Sequence, residues 1–112
     1  MAASILARED RLDLENGMQL RLLSALEVLQ ARREAAALAG GERERALCSN
    51  ACLLARALMK GEAQVFADGQ AVLAGLTVAE IAALSRRWSE FDRRENPALT
   101  LEEQELEIVK KN

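Results

Sequence analysis

Leu76-Thr77-Val78-Ala79-Glu80-Ile81-Ala82-Ala83-Leu84-Ser85-Arg86-Arg87-Trp88-Ser89-Glu90-Phe91-Asp92-Arg93-Arg94-Glu95-Asn96-Pro97 holds the only Trp, the only Pro and one of the two Phe of the chain. It also carries its own start and stop. Thr77 and Glu80 have the spacing of a capping box, and Leu76 can staple onto Ile81 across the helix start. Ile81, Leu84, Trp88 and Phe91 then recur at three- and four-residue steps, one apolar stripe backed by Arg86, Arg87, Glu90, Arg93 and Arg94. Pro97 disfavours helical geometry at Asn96, so the helix is predicted to finish near Arg94 or Glu95.

Working outward, the chain of 112 residues is half apolar, mostly Ala and Leu, with three aromatics. That composition predicts helix packed on helix, with small residues allowing close approach. Two further helices are legible before the Leu76 stretch. Ser24 and Glu27 form a second capping box, with Leu23 stapling onto Val28, and Leu26, Leu29, Ala36 and Leu38 lead to Gly40-Gly41. The next helix starts in Glu42-Arg43-Glu44 and runs through Leu47, Cys48, Ala51, Cys52, Leu54, Ala55, Leu58 and Met59 to Gly61. Its wide apolar face makes it the expected central helix, antiparallel to the one before it.

At the N-terminal side, Arg-Leu-Asp-Leu-Glu-Asn-Gly-Met-Gln-Leu-Arg-Leu (Arg11 to Leu22) alternates around Asn16-Gly17. Two readings compete: a short helix ending at Gly17, and a hairpin. A two-residue hairpin loop would put the two apolar sets on opposite faces. A three-residue loop, Glu15-Asn16-Gly17 with Gly17 left-handed, pairs Leu14 with Met18 and Leu12 with Leu20 on one face, and is preferred. Such a hairpin needs the helices or another sheet to cover it. Glu62 to Gly69 reads as a connector in which Val65-Phe66 is an extended piece or an anchor, and Gln70 to Ala74 as one helical turn before Gly75.

The expected architecture is mostly α: a bundle of about four helices with an N-terminal hairpin at about residues 11–22, forming one domain over residues 1–97. The expected core is Leu26, Leu29, Leu47, Ala51, Leu54, Leu58, Ile81, Leu84, Trp88 and Phe91, with the Leu76 helix covering the Leu26 and Leu47 helices. Residues 98–112 form a separate tail. There Thr100 and Glu103 make a third capping box, acids precede lysines as the helix dipole favours, and Leu101, Leu106, Ile108 and Val109 give a thin apolar edge suited to a partner.

The chemistry is sparse. The chain has no His and no Tyr, and no Gly-rich phosphate loop, which removes most routes to acid-base, nucleophilic or metal-assisted catalysis. Cys48 and Cys52, four apart in a helical pattern, read as buried thiols rather than a disulfide or metal pair. Glu102, Glu103, Glu105 and Glu107 read as a solvated acidic face rather than a cation site. A non-enzyme without cofactor or metal is expected. The net charge of -3, with both signs interspersed, gives no reason to expect nucleic acid. Leu76 to Ala82 has the look of the first helix of a helix-turn-helix reader, but the pattern runs unbroken to Phe91 where a tight turn would be needed. No apolar run reaches membrane-spanning length and no leader pattern opens the chain, so a cytosolic protein is expected.

Taken together, the hairpin, the Leu23-Ser24-Ala25-Leu26-Glu27 helix start, the Ala-rich helical pair and the closing Val72-Leu73-Ala74-Gly75-Leu76-Thr77 into Ile81, Trp88 and Phe91 resemble a tail assembly chaperone of long-tailed bacteriophages. The resemblance covers roughly Leu12 to Pro97 and rests on the order of elements and a few apolar positions. It implies a small helical non-enzyme in the cytoplasm of a bacterial host. Such a protein coats the aggregation-prone tape measure protein, recruits tail tube subunits through a frameshifted longer form, and self-associates along its client. The rival class is a helical regulatory module, for instance an antitoxin-like or DNA-binding dimer. Lys110-Lys111-Asn112 can be encoded by a run of adenines ending in a pyrimidine, on which ribosomes slip, although a basic last helical turn explains the same residues. The resemblance therefore predicts adenine-only lysine codons there with an open alternative frame beyond; mixed codons and no such frame would overturn it.

Overall fold

The Asn16-Gly17 hairpin forms with the three-residue loop. A computed structural model describes residues 10–96; the tail edge of Leu101, Leu106, Ile108 and Val109 lies outside the described residues. Strand β1 (Arg11–Asp13) pairs antiparallel with β2 (Gln19–Arg21) in the register Leu12 to Leu20. The Leu14 amide donates to the Met18 carbonyl at 2.8 Å. Asn16 joins Gly17 in the left-handed region, at φ 67° and 74°, a conformation Asn tolerates better than most residues. The register puts Leu12 and Leu20 on one face and Arg11, Asp13 and Gln19 on the other. On the polar face Arg11 Nη1 donates to Gln19 Oε1 at 2.9 Å, and Gln19 Nε2 to Asp13 Oδ1 at 2.8 Å.

Helix α1 (Ala25–Leu38) starts at the Ser24 capping box, with both reciprocal bonds made, and α2 (Glu42–Ala57) returns along it after Gly40-Gly41. Here the structure departs from the sequence reading. Helix α2 stops at Ala57 rather than Gly61, and Leu58–Lys60 becomes strand β3, pairing with β2. The cause is the open edge of the hairpin, whose unpaired amides and carbonyls need a ladder partner. Extension there also buries Leu58 and Met59. Gly61, at φ 65°, then opens a two-residue loop into β4 (Ala63–Gln64), completing an antiparallel sheet of order β1-β2-β3-β4. Of the predicted connector, Phe66 packs on the core as an anchor while Val65 is exposed.

Helix α3 (Gly69–Gly75) is capped by Asp68, whose carboxylate accepts the Ala71 amide at 2.9 Å. Its first residue has no room for a side chain, because a Cβ on Gly69 would run into the sulfur of Cys52. Helix α4 (Val78–Glu95) forms as read, with the Thr77 and Glu80 capping box complete and its end one residue before Asn96.

The core has two parts. The larger joins sheet and helices through Leu20, Leu54, Leu58, Val72, Ile81 and Trp88, with Leu47 and Leu84 packed half-buried at its edge; Ala51 is fully buried and Phe91 nearly so. The smaller is the α1 and α2 contact, built from Ala31, Ala35, Cys48 and Cys52. Both thiols are buried and free. Two expected core residues are not there: Leu26 is 57% and Leu29 45% exposed. Helices that touch through alanine approach closely, so α1 turns its small face to α2 and leaves its leucines at the side. Correspondingly, α4 packs chiefly on α2 rather than equally on both helices, which narrows the expectation that it covers α1 as well.

Arg21 ties three of these elements together. Its carbonyl accepts the Trp88 indole N–H at 2.8 Å, and its guanidinium meets Glu27 of α1 at 2.6 Å. Replacing Trp88 by Ala is expected to lower stability by about 3–5 kcal/mol, and by Phe by about 1–2 kcal/mol, since Phe keeps the ring and loses the hydrogen bond. Chemical denaturation of the two variants measures both; equal losses would remove the hydrogen bond from the account.

Glu27 supplies a pH dependence. The hydrogen bond from Arg21, aided by the Ser24 amide, outweighs burial and holds its carboxyl down at about 2, from an ordinary 4.5. A carboxyl depressed on folding stabilises fully above its unfolded value, and that stabilisation is lost as pH falls from 4.5 toward 2. With the pair about 30% exposed and so partly screened, Glu27→Gln is expected to be about 1 kcal/mol less stable at pH 7. The difference from wild type should disappear near pH 2. Melting curves across that range test it, and a pH-independent difference would refute it.

Candidate functional site

Because α1 and α4 both pack chiefly on α2 rather than on each other, a groove opens between them. Its volume is about 650 Å³, within the range of cavities that accept ligands or side chains of a partner. Leu53 and Ser49 of α2 and Ala31 of α1 form the floor. Leu23, Val28 and Leu29 make one wall, and Trp88, Ser89 and Asp92 the other. Trp88 is 8% exposed: its N–H is engaged by β2, so what it presents to the groove is apolar ring. Asn96, the last described residue, stands at the margin. Arg32 lines the groove and also borders a shallower recess of about 390 Å³ with Ala35, Arg45, Ala46 and Ser49, so the depression continues along α1 and α2 between two arginines. Leu26, on the helix that forms the wall, is exposed but is not among the lining residues.

A second concavity, about 350 Å³, is polar and is lined by Glu34, Arg56, Gln64 and Asp68. Its groups are engaged with each other and with the backbone. Glu34 Oε1 accepts from Arg56 Nη1 at 2.7 Å and Oε2 from the Gly69 amide at 2.8 Å, so one carboxylate fixes α1 to α2 and α3. Gln64 Nε2 donates to the Ala55 carbonyl, and Asp68 caps α3. Charge-assisted bonds of this kind hold the helix ends rather than a ligand. Burial, reinforced by the Glu34 charge, pushes the Cys52 thiol up to about 12, so it stays protonated and is neither nucleophile nor ligand at neutral pH.

Among the described residues no three His, Cys, Asp or Glu are gathered to hold a metal, and no helix is long and apolar enough to cross a membrane. Of the residues read from sequence as partner-facing, Leu101, Leu106, Ile108 and Val109 fall outside the described region. The groove itself was not legible as a site, since Leu29 and Trp88 read as core and Leu23 and Val28 as a helix staple. One signal was available: Ala31 and Ala35 at four-residue spacing match Cys48 and Cys52 on the next helix, and two such small stripes facing each other turn the leucines of α1 sideways. Compared with known proteins, the chain matches no family model, and no curated protein or solved structure matches it.

Proposed function

We propose that the chain is a non-enzymatic binding protein that holds an apolar, helix-forming segment of a client in the groove between α1 and α4. The observation that carries this reading is the groove wall itself: Leu23, Val28, Leu29, Leu53 and the ring of Trp88 line an open depression, and Leu26 is exposed on the same helix. An amphipathic helix laid into such a depression buries its own apolar stripe against it, the helix-in-groove mode of recognition. Arg32 and Asp92 among the lining residues keep the surface wettable when it is empty, which a holdase needs if it is not to aggregate itself.

The resemblance to tail assembly chaperones extends this reading to a particular client. In that setting the protein works in the cytoplasm of a bacterial host, several copies coat the tape measure protein, weak self-association adds avidity along it, and tail tube subunits are recruited to the coated client. Leu26 and Leu29 are the residues to test, because they are exposed and their replacement spares the core. Leu26→Asp with Leu29→Asp is expected to weaken affinity for a tape measure fragment by about tenfold, roughly 1.4 kcal/mol of contact, and so to lower the yield of soluble, co-expressed fragment. The melting temperature should be nearly unchanged. A variant that keeps the fragment as soluble as wild type does would remove the groove from the function.

A further inference from the structure

We infer that the outer edge of β1 pairs antiparallel with β1 of a second copy, about a two-fold axis at Leu12, joining two four-stranded sheets into one. The backbone sets the geometry. The Leu14 amide donates to Met18 and the Leu22 amide to Asp10, so Asp10, Leu12 and Leu14 hold the ladder to β2. The amides and carbonyls of Arg11 and Asp13 therefore point the other way, out of the sheet edge. Among the described residues no strand stands on that side, since β1 is the first in the order β1-β2-β3-β4. The charged side chains do not guard this edge. Arg11 is drawn inward across the sheet, where its Nη1 donates to Gln19 Oε1 at 2.9 Å and to the Gly61 carbonyl at 2.6 Å. An edge strand left in this state is a template for another strand.

Charge selects the second copy and its register. A two-fold pairing centred on Arg11 or on Asp13 would set like charges directly opposite one another, which destabilises a sheet. Centred on Leu12, the pairing sets Arg11 of each copy opposite Asp13 of the other, and the outward amides and carbonyls of both residues are all satisfied. The opposed charges fall on the polar face. There Gln19 occupies Asp13 Oδ1 at 2.8 Å, while Oδ2 accepts no hydrogen bond among the described residues and is open to a guanidinium. On the other face Leu12 meets Leu12 of the second copy. In the single chain Leu12 is only half-buried, because the central helix α2 makes its sheet contacts chiefly with β2, β3 and β4. Pairing across the edge completes its cover, the β-strand-addition mode of recognition applied to the chain itself.

Raising the protein concentration, with no client present, tests the inference. Sedimentation equilibrium is expected to show monomer and dimer in exchange at about 0.1–1 mM, a weak association in keeping with so small a contact. Over that range the Arg11 and Asp13 amides should exchange more slowly with solvent as concentration rises, while the amides of α1 keep their rates. Asp13→Arg sets arginine against arginine and should weaken association at least about tenfold. Adding Arg11→Asp restores opposed charges and should recover it. A protein that stays monomeric to about 1 mM overturns the inference. So does a dimer that leaves the two amides unprotected, which would use another surface. Protection independent of concentration, which would mean that the same chain covers its own edge, overturns it too, as does a double variant that associates no better than Asp13→Arg alone. The contact uses no residue of the groove, so client binding and this association succeed or fail separately.

Discussion

The hydrogen bond from the Trp88 indole to the Arg21 carbonyl is the constraint on which the arrangement depends. A buried indole N–H left without an acceptor forfeits on the order of 1–3 kcal/mol, so the one Trp of the chain must sit where a backbone carbonyl is free to accept. The acceptor lies in β2, 67 residues earlier in sequence. Meeting it draws α4 toward the sheet. The same residue's guanidinium holds Glu27 at the start of α1, so sheet, first helix and last helix are indexed to one position. Helix α2 then fills the space between them, and the distance that remains between α1 and α4 is the groove.

The hairpin register is the second determinant. Placing Leu12 and Leu20 on one face commits that face to the helices, and commits the free edge of β2 to finding another strand. The strand it finds is taken from the end of α2. Local helix propensity through Leu58 and Met59 loses to two gains made together: ladder hydrogen bonds to β2 and burial of both side chains. This is why the three-residue loop matters beyond its own turn. A two-residue loop would have split the apolar set, and β3 would have had no continuous face to extend.

What could be read in the sequence was set by short-range chemistry. The Ser24 with Glu27 and Thr77 with Glu80 boxes, the Asn16-Gly17 loop and the stop before Pro97 each involve residues within four positions of one another, and each formed as read. What could not be read was set by partners far away in sequence. Gly61-Glu62 is a fair two-residue hairpin signal, but the helical period of Leu54, Leu58 and Met59 masks it until the β2 edge is known to be open. Leu26 and Leu29 read as core because leucine on a helix is usually turned inward. They are outside because alanine and cysteine at four-residue spacing permit a closer helix contact than leucine would, and Glu34, bonded to Arg56 and to the Gly69 amide, locks that rotation of α1.

The rotation has an energetic meaning. Each of these leucines, about half exposed, forgoes roughly 1 kcal/mol of further burial, an appreciable sum for a domain whose net stability is of the order of 10 kcal/mol. A sequence selected for folding alone would turn α1 by about one residue, or place polar side chains at positions 26 and 29. Turning α1 would push leucine against Cys48 and Cys52, break the Glu34 contact with Gly69 and open the close approach that excludes a Cβ there. Polar residues at 26 and 29 carry no such penalty, since both positions face outward, and yet leucine is what the chain has. Folding therefore accounts for the orientation of α1 but not for the identity of the two residues. Leu29 stands in one wall of a groove whose other wall is the ring of Trp88, so its apolar character falls where the proposed client segment would lie.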